Sequence, residues 1–328
     1  MKALFIGGNG IISADCSRLA VERGWDLTLL HRGVESIRPP VEGVETLVGD
    51  ATDAASVRAA VGSRTFDAVV NFRAFTPEQV RADVELFAGR TGQYVFISSA
   101  SAYRKPVVHL PITESTALRN PFWRYSRDKI ACEDLLVAAY REDGFPATIV
   151  RPSHTYDPTL IPFDGGWTVI DRMRRGRPTV VHGDGTSFWT LTHARDFAKG
   201  FVPLLGDPRV VGDAVHITTD EHLTWDDVAR GLAAAAGAAA DLVHVGSPRL
   251  ARALPEWADG LLGDKAHSLI FDNAKIKSLV PDFVATTTWS QGAREIVDWY
   301  DAHPEQQVVD RALDATLDAL VEAEAGPA

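Results

Sequence analysis

The sequence predicts an α/β fold, a doubly wound parallel sheet that carries a smaller, discontinuous C-terminal α/β substrate domain. Three observations predict it. Short apolar runs alternate with helix-patterned segments through the first half of the chain, and a glycine-rich turn follows the first run. After about Thr155 that rhythm gives way to long loops rich in Pro, Gly and Trp. The length of 328 residues, with 45% hydrophobic side chains, suits two packed units.

Ala3–Ile6 is an apolar run stopped by glycines, too short for a leader or a membrane span, and is expected to be the first strand. Gly7-Gly8-Asn9-Gly10-Ile11-Ile12-Ser13 then opens a helix over 13–23. In that strand–turn–helix context the glycines let backbone approach a pyrophosphate at the helix N-terminus, as in a Rossmann-type sheet. Ser13 stands where a third glycine permits the closest packing, so the helix is expected to sit slightly farther off.

The second strand, 26–30, ends at His31-Arg32-Gly33, where an acidic residue would accept hydrogen bonds from the ribose hydroxyls of NAD. Arg32 can instead pair with a 2′-phosphate, which favours NADP over NAD; a solvent-facing arginine is the alternative. Asp50 and Ala51, after the strand at 44–48, are expected against the adenine ring, and Asn71, closing the strand at 68–71, on the nicotinamide side. Turn residues that cap helices would look the same. Strands at 93–98 and 147–151 follow, and 214–217, with a helix over 195–205, rejoins the sheet. The expected division is therefore 1–155 with 188–217 for the dinucleotide, and 156–187 with 218–328 for the substrate. Ala233–Ala240 reads as a helix interrupted at Gly237.

The chemistry is carried by Ser98-Ser99 at the end of the fifth strand and by Tyr125 and Lys129, four residues apart on one helix face. Lys129 beside Tyr125 is expected to favour the phenolate. A free tyrosine titrates near ~10, so a base working at neutral pH requires about 4 kcal/mol of differential stabilisation. Together with the glycine turn, these residues point to redox chemistry at a hydroxyl-bearing carbon.

The net charge of −11 disfavours nucleic acid and anionic membranes as partners. The cationic run Arg172–Arg177 is either a solvated helix end or a contact to a substrate phosphate. Cys16 and Cys132 make no disulfide framework, so a reducing cytoplasm is expected. None of the ten histidines has metal-ligand spacing, and no metal is expected.

On these residues, and on Leu110-Pro111-Ile112-Thr113-Glu114, Val150-Arg151-Pro152, His182-Gly183-Asp184-Gly185 and Thr192-His193-Ala194-Arg195-Asp196, the chain resembles the extended short-chain dehydrogenase/reductase family, in its NAD-dependent epimerase/dehydratase branch. The resemblance implies that Ser99 polarises the substrate oxygen, that Tyr125 removes or returns its proton, and that Lys129 also holds the nicotinamide ribose. Epimerisation through a transient ketone then follows if the ketone takes hydride on its other face. Release of the ketone makes the same residues an alcohol dehydrogenase or ketone reductase, and a non-catalytic cofactor-binding scaffold is the rival of another class. Relatives of this kind pair through two helices per subunit, which places a homodimer contact on 80–87 and 126–140.

Three departures bear on substrate. Ala100-Ser101 follows Ser99 where dehydrating relatives carry an Asp-Glu pair, which demotes dehydration. Trp189 stands where an arginine usually meets the diphosphate of a nucleotide sugar, leaving Arg174, Arg175 or Arg177 for that task. Ser153 and His154 replace an expected asparagine. The resulting substrate-side candidates are Ser99, Ser101, Trp123, Ser153, His154, Trp189, Lys265 and His267, with Pro152 and His154 also on the cofactor side. Phe122, Trp123, Trp167 and Trp189 are candidates for an aromatic wall.

Overall fold

The computed structural model describes residues 1–34 and 36–325; the last three residues of the expected 218–328 segment lie outside them. The first strands are β1 (Lys2–Ile6), β2 (Asp26–His31), β3 (Glu45–Val48), β4 (Ala68–Asn71), β5 (Tyr94–Ile97) and β6 (Ala147–Pro152). Four short strands follow, β7 (His154–Tyr156), β8 (Thr179–His182), β9 (Phe188–Trp189) and β10 (Leu191–His193), before β11 (Ala214–Ile217). One seven-stranded sheet has the order β11-β6-β5-β4-β1-β2-β3, parallel throughout. Its central strands are mostly apolar because both faces are covered: every residue of β4, β5 and β6 is buried.

Helices α1 (Ile11–Glu22), α2 (Ala54–Val61), α3 (Pro77–Phe87) and α4 (Arg124–Asp143) follow the first strands, with α5 (Trp167–Arg174) and α6 (Ala194–Phe201) later. Cys16 and Ala20 of α1 and Phe197 and Phe201 of α6 pack with Phe5, Val95 and Val215 on one face. Val57, Val80, Phe87, Cys132 and Leu136 of α2–α4 pack with Leu4, Val69 and Phe96 on the other. Strand order reverses between β1 and β4, and in such sheets the crevice at the carboxyl ends of those strands takes the ligand.

The helix expected over 195–205 ends at Phe201, and Val202–Leu204 tightens to a 3₁₀ turn around Pro203, which has no N–H to continue the ladder. The alanine-rich segment also differs. Its helix, α7 (Trp225–Ala235), stops ahead of Gly237, whose φ of +69° is the left-handed conformation that ends helices.

The remaining chain adds β12 (Leu223–Thr224), β13 (Leu242–Val245), α8 (Ser247–Ala253), α9 (Pro255–Gly260), α10 (Ala274–Leu279), α11 (Trp289–Ala302) and α12 (Arg311–Ala325). Tyr156, Trp167, Trp189, Trp225 and Trp289 centre its core. The arginine run is absorbed here. Arg172 is buried against Asp314 and Asp318, Arg174 is held by both oxygens of Asp301 at 2.7 Å, and Arg175 pairs with Asp171 and Asp314. Neither these three nor the exposed Arg177 lines the cavity that holds Trp189, where a diphosphate contact was expected. No helix among the described residues is long and apolar enough to cross a membrane.

Buried Asp83 of α3 accepts 2.6 Å hydrogen bonds from the Tyr94 hydroxyl and from Asn71 Nδ2. Burial pushes its carboxyl up to about 6 against the opposing effect of those bonds. Its folded value lies above the unfolded value near ~3.9, so the stability it contributes is present below about pH 4 and lost as pH rises through about 6. Chemical denaturation across that window should show a flatter stability–pH curve for Asp83→Asn than for the parent chain.

Candidate active site

Three cavities mark the carboxyl side of the sheet. One of about 310 Å³ is lined by Gly7, Asn9, Gly10, His31, Arg32, Asp50 and Ala51, the residues expected around the adenosine and pyrophosphate. Gly7 has φ +85°, and a Cβ there would lie 2.3 Å from Arg73 Cγ, so the loop passes directly under the Arg73 side chain. Arg73 lines the same cavity and went unnoticed in the sequence, because it follows β4 without any motif of its own.

Ser13 also has a bonding role in the turn. Its buried hydroxyl donates to Gly7 O at 2.6 Å and accepts the Gly10 N–H at 2.7 Å, fastening the turn from inside. Asp50 accepts from the Thr52 N–H at 2.8 Å and the Thr52 hydroxyl at 2.7 Å. Those bonds, then the charges of Arg32 and Arg73, hold its carboxyl below the usual range. Asn71 departs from expectation: its amide is buried, donating to Asp83 and accepting the Arg73 N–H, and it lines none of the three cavities. Ile11 likewise only opens α1, whereas Ile12 reaches the second cavity.

That second cavity, about 190 Å³, is walled by Ile12, Ser99, Tyr125, Lys129, Pro152 and Ser153 together with Phe72 and Phe75. It shares Ser99, Tyr125, Pro152 and Ser153 with the third, of about 440 Å³, whose walls also hold Ser101, Trp123, His154, Trp189 and Lys265. Ser99 and Tyr125 thus stand in the wall that these two spaces share.

Along α4, Tyr125, Lys129 and Glu133 form one stripe at successive i+4 positions facing the sheet. Lys129 Nζ donates to the carbonyls of Ala74 and Ile97, each at 2.7 Å, and lies 4.8 and 4.6 Å from the ring centroids of Phe75 and Phe96. Burial pushes Lys129 down to about 8. Burial likewise pushes Tyr125 up to about 12, opposed by a hydrogen bond with Ser99 and reinforced by the charge of Asp264. Lys129 does lie beside Tyr125, with Nζ 5.7 Å from its ring centroid, but two backbone carbonyls hold the ammonium and burial favours the neutral phenol over the expected phenolate.

Ser99 belongs to a hydroxyl chain. Ser126 Oγ donates to Ser101 Oγ at 2.8 Å, and Ser101 Oγ lies 2.9 Å from Ser99 Oγ. With Ser101 already accepting from Ser126, its proton is free to go to Ser99, and the Ser99 proton is left for the cavity.

His154 accepts the Trp189 indole N–H at 3.1 Å, and burial pushes it down to about 3, so it is neutral. Ser153 shares a 3.0 Å hydrogen bond with Thr192, and the Trp123 ring centroid lies 4.9 Å from that of Tyr125. Lys265 pairs with Asp164 inside the wall. His267 is not part of the wall, because its ring is drawn to Leu262 O at 3.1 Å. Of the expected aromatic wall, Trp167 instead stacks on Tyr300 in the core and Phe122 lies outside the cavity, leaving Trp123 and Trp189 with the unforeseen Trp257. The carboxylates Asp164, Glu256, Asp259 and Asp264 in the same wall were also unforeseen. No cluster of three or more metal-ligating side chains occurs among the described residues.

A parallel sheet with a glycine turn at its switch point and a Ser–Tyr–Lys set at the neighbouring strand end defines the dinucleotide-dependent enzymes of short-chain dehydrogenase type. The sequence profile of the NAD dependent epimerase/dehydratase family matches residues 3–217, and the chain belongs to that family. It is 26% identical over 289 residues to 2'-dehydrokanamycin reductase of Streptomyces kanamyceticus, covering 86% of this chain and 80% of that one. It is also 28% identical over 248 residues to the chloroplast stem-loop binding protein of 41 kDa b of Arabidopsis thaliana, covering 72% of this chain and 63% of the relative's length. Among solved structures, dTDP-glucose 4,6-dehydratase of Bacillus anthracis, in complex with NAD, superposes with a TM-score of 0.74 at 19% identity, over 93% of this chain and 98% of that one.

Proposed function

We propose that the protein interconverts a hydroxyl and a ketone on a sugar-like small molecule, with NADP or NAD bound along the first two cavities and substrate in the third. The observation that carries this reading is the shared wall: Ser99 and Tyr125 line both the second and the third cavity. Nicotinamide, when bound, supplies or accepts the hydride. Ser99 hydrogen-bonds the reacting oxygen, Tyr125 exchanges its proton, and Lys129 fixes the floor beneath them. A neutral Tyr125 is the form that gives a proton to a carbonyl oxygen, so the protein at rest is set for reduction of a ketone, the direction named for the Streptomyces relative. Residues 156–187 and 218–325 serve as the substrate-binding part, and α3 with α4 as the contact of a cytoplasmic homodimer.

Released nicotinamide, identified by mass spectrometry after denaturing fresh protein, separates the two outcomes of this chemistry. Stoichiometric retention supports an epimerase that regenerates its cofactor within each turnover, and an empty protein that oxidises added NADPH with a ketone supports a reductase. Arg32→Ala should weaken NADP binding by about ten- to a hundredfold, the worth of a charge-assisted contact, and leave NAD nearly unchanged in calorimetric titration. Equal losses for both would remove the 2′-phosphate role. The name of the Arabidopsis relative raises an RNA-binding reading, against which the net charge of −11 weighs. Salt-dependent retardation of RNA without any substrate-dependent absorbance change would favour that reading.

A further inference from the structure

We infer that the substrate cavity accepts a cationic, amino-substituted polyol and rejects a nucleotide diphosphate; this rests on the redox reading above and names its substrate class. A diphosphate needs guanidinium or ammonium groups with donors to spare. The wall around Ser99 and Tyr125 holds four carboxylates, Asp164, Glu256, Asp259 and Asp264, and one cation, Lys265.

That lysine is committed to Asp164. Lys105, fully buried behind the wall, is committed to Asp264 at 3.1 Å. Glu256 and Asp259 have no ion-pair partner among the described residues, and they stand three residues apart on α9, on one helix face at the cavity's edge. Of the arginines that might have reversed this field, Arg174 and Arg175 are engaged with Asp171, Asp301 and Asp314, no arginine lines the cavity, and Trp189 stands four residues after Gly185.

A substrate entering past Glu256 and Asp259 therefore meets uncompensated negative charge, which attracts an ammonium and repels phosphates. Trp189 and Trp257 add apolar faces on which a saturated ring packs and over which a cation is favoured. The geometry suits a polyol whose reacting hydroxyl lies at Tyr125 while amino groups reach α9.

The test is calorimetric titration of the full chain, loaded with NADP, with kanamycin, with fully N-acetylated kanamycin and with UDP-glucose. Kanamycin should bind at least about tenfold more tightly than either of the others and weaken as salt is raised, as one or two charge-assisted contacts require. The Glu256→Gln/Asp259→Asn double variant should abolish that preference and keep its affinity for NADP. Tighter binding of UDP-glucose, equal binding of the amino and acetylated forms, or an unchanged preference in the double variant would each overturn the inference. Because the preference is read without turnover, failure of the redox reading shows separately, as retained activity in a Tyr125→Phe variant.

Discussion

A Tyr125→Phe variant is expected to lose about 10²–10⁴-fold in turnover while folding normally and binding its cofactor. The ring is held by its surroundings and not by its hydroxyl: Trp123 lies at 4.9 Å and Phe75 at 6.3 Å between ring centroids, and α4 continues unbroken beneath it. Removing one oxygen therefore takes away the proton and little of the packing. The pH profile adds a second check. With the phenol held up to about 12, the reductive direction should persist as pH rises across neutrality, because the proton to be donated stays on the oxygen. The oxidative direction needs the phenolate and should climb with pH over the same range. Steady-state rates in both directions measure this, and a reductive rate that collapses between neutral pH and about 8 would mean that bound cofactor lowers the tyrosine strongly.

Glu133→Ala is expected to destabilise the protein by about 3–5 kcal/mol, the usual result of stranding one member of a buried ion pair. Arg151 from β6 holds Glu133 through Nε at 3.0 Å and Nη2 at 2.6 Å, while its Nη1 donates to the Tyr103 hydroxyl and to Glu114 O, each at 3.2 Å. Ser98 donates to the same carboxylate. Alanine would leave a guanidinium inside the protein with no counter-charge. A Glu133→Leu/Arg151→Met double variant should cost less than Glu133→Ala, since apolar pairs often replace buried ion pairs without loss. Urea denaturation of the two variants decides it. Because Glu133 shares the α4 stripe with Tyr125 and Lys129, the single variant should also lose activity at temperatures well below its unfolding transition.

The sheet was legible in the sequence because its central strands are buried on both faces, so 68–71, 93–98 and 147–151 stand out as short, mostly apolar runs. The tyrosine–lysine spacing was legible because a helix converts i+4 into adjacency. What Lys129 touches was not, since its partners are backbone carbonyls of Ala74 and Ile97, and carbonyls leave no mark on residue type. The same holds for His267, turned to Leu262 O. Arg174 read as a free cation because its carboxylate, Asp301, lies 127 residues downstream, and Arg175 because its second partner, Asp314, is as remote and only Asp171 is local. Asp164, Glu256, Asp259 and Asp264 come from loops and short helices remote in sequence from Tyr125, and no motif marks them.

The hydroxyl of Ser13 has a kinetic meaning. A phosphate-binding turn made of glycines alone is floppy until a ligand freezes it, and that lost freedom is subtracted from affinity. With Gly7 O and Gly10 N tied through one internal side chain, the turn is ordered before any dinucleotide arrives. A dinucleotide docking on this turn would then have less backbone to order, which favours faster association.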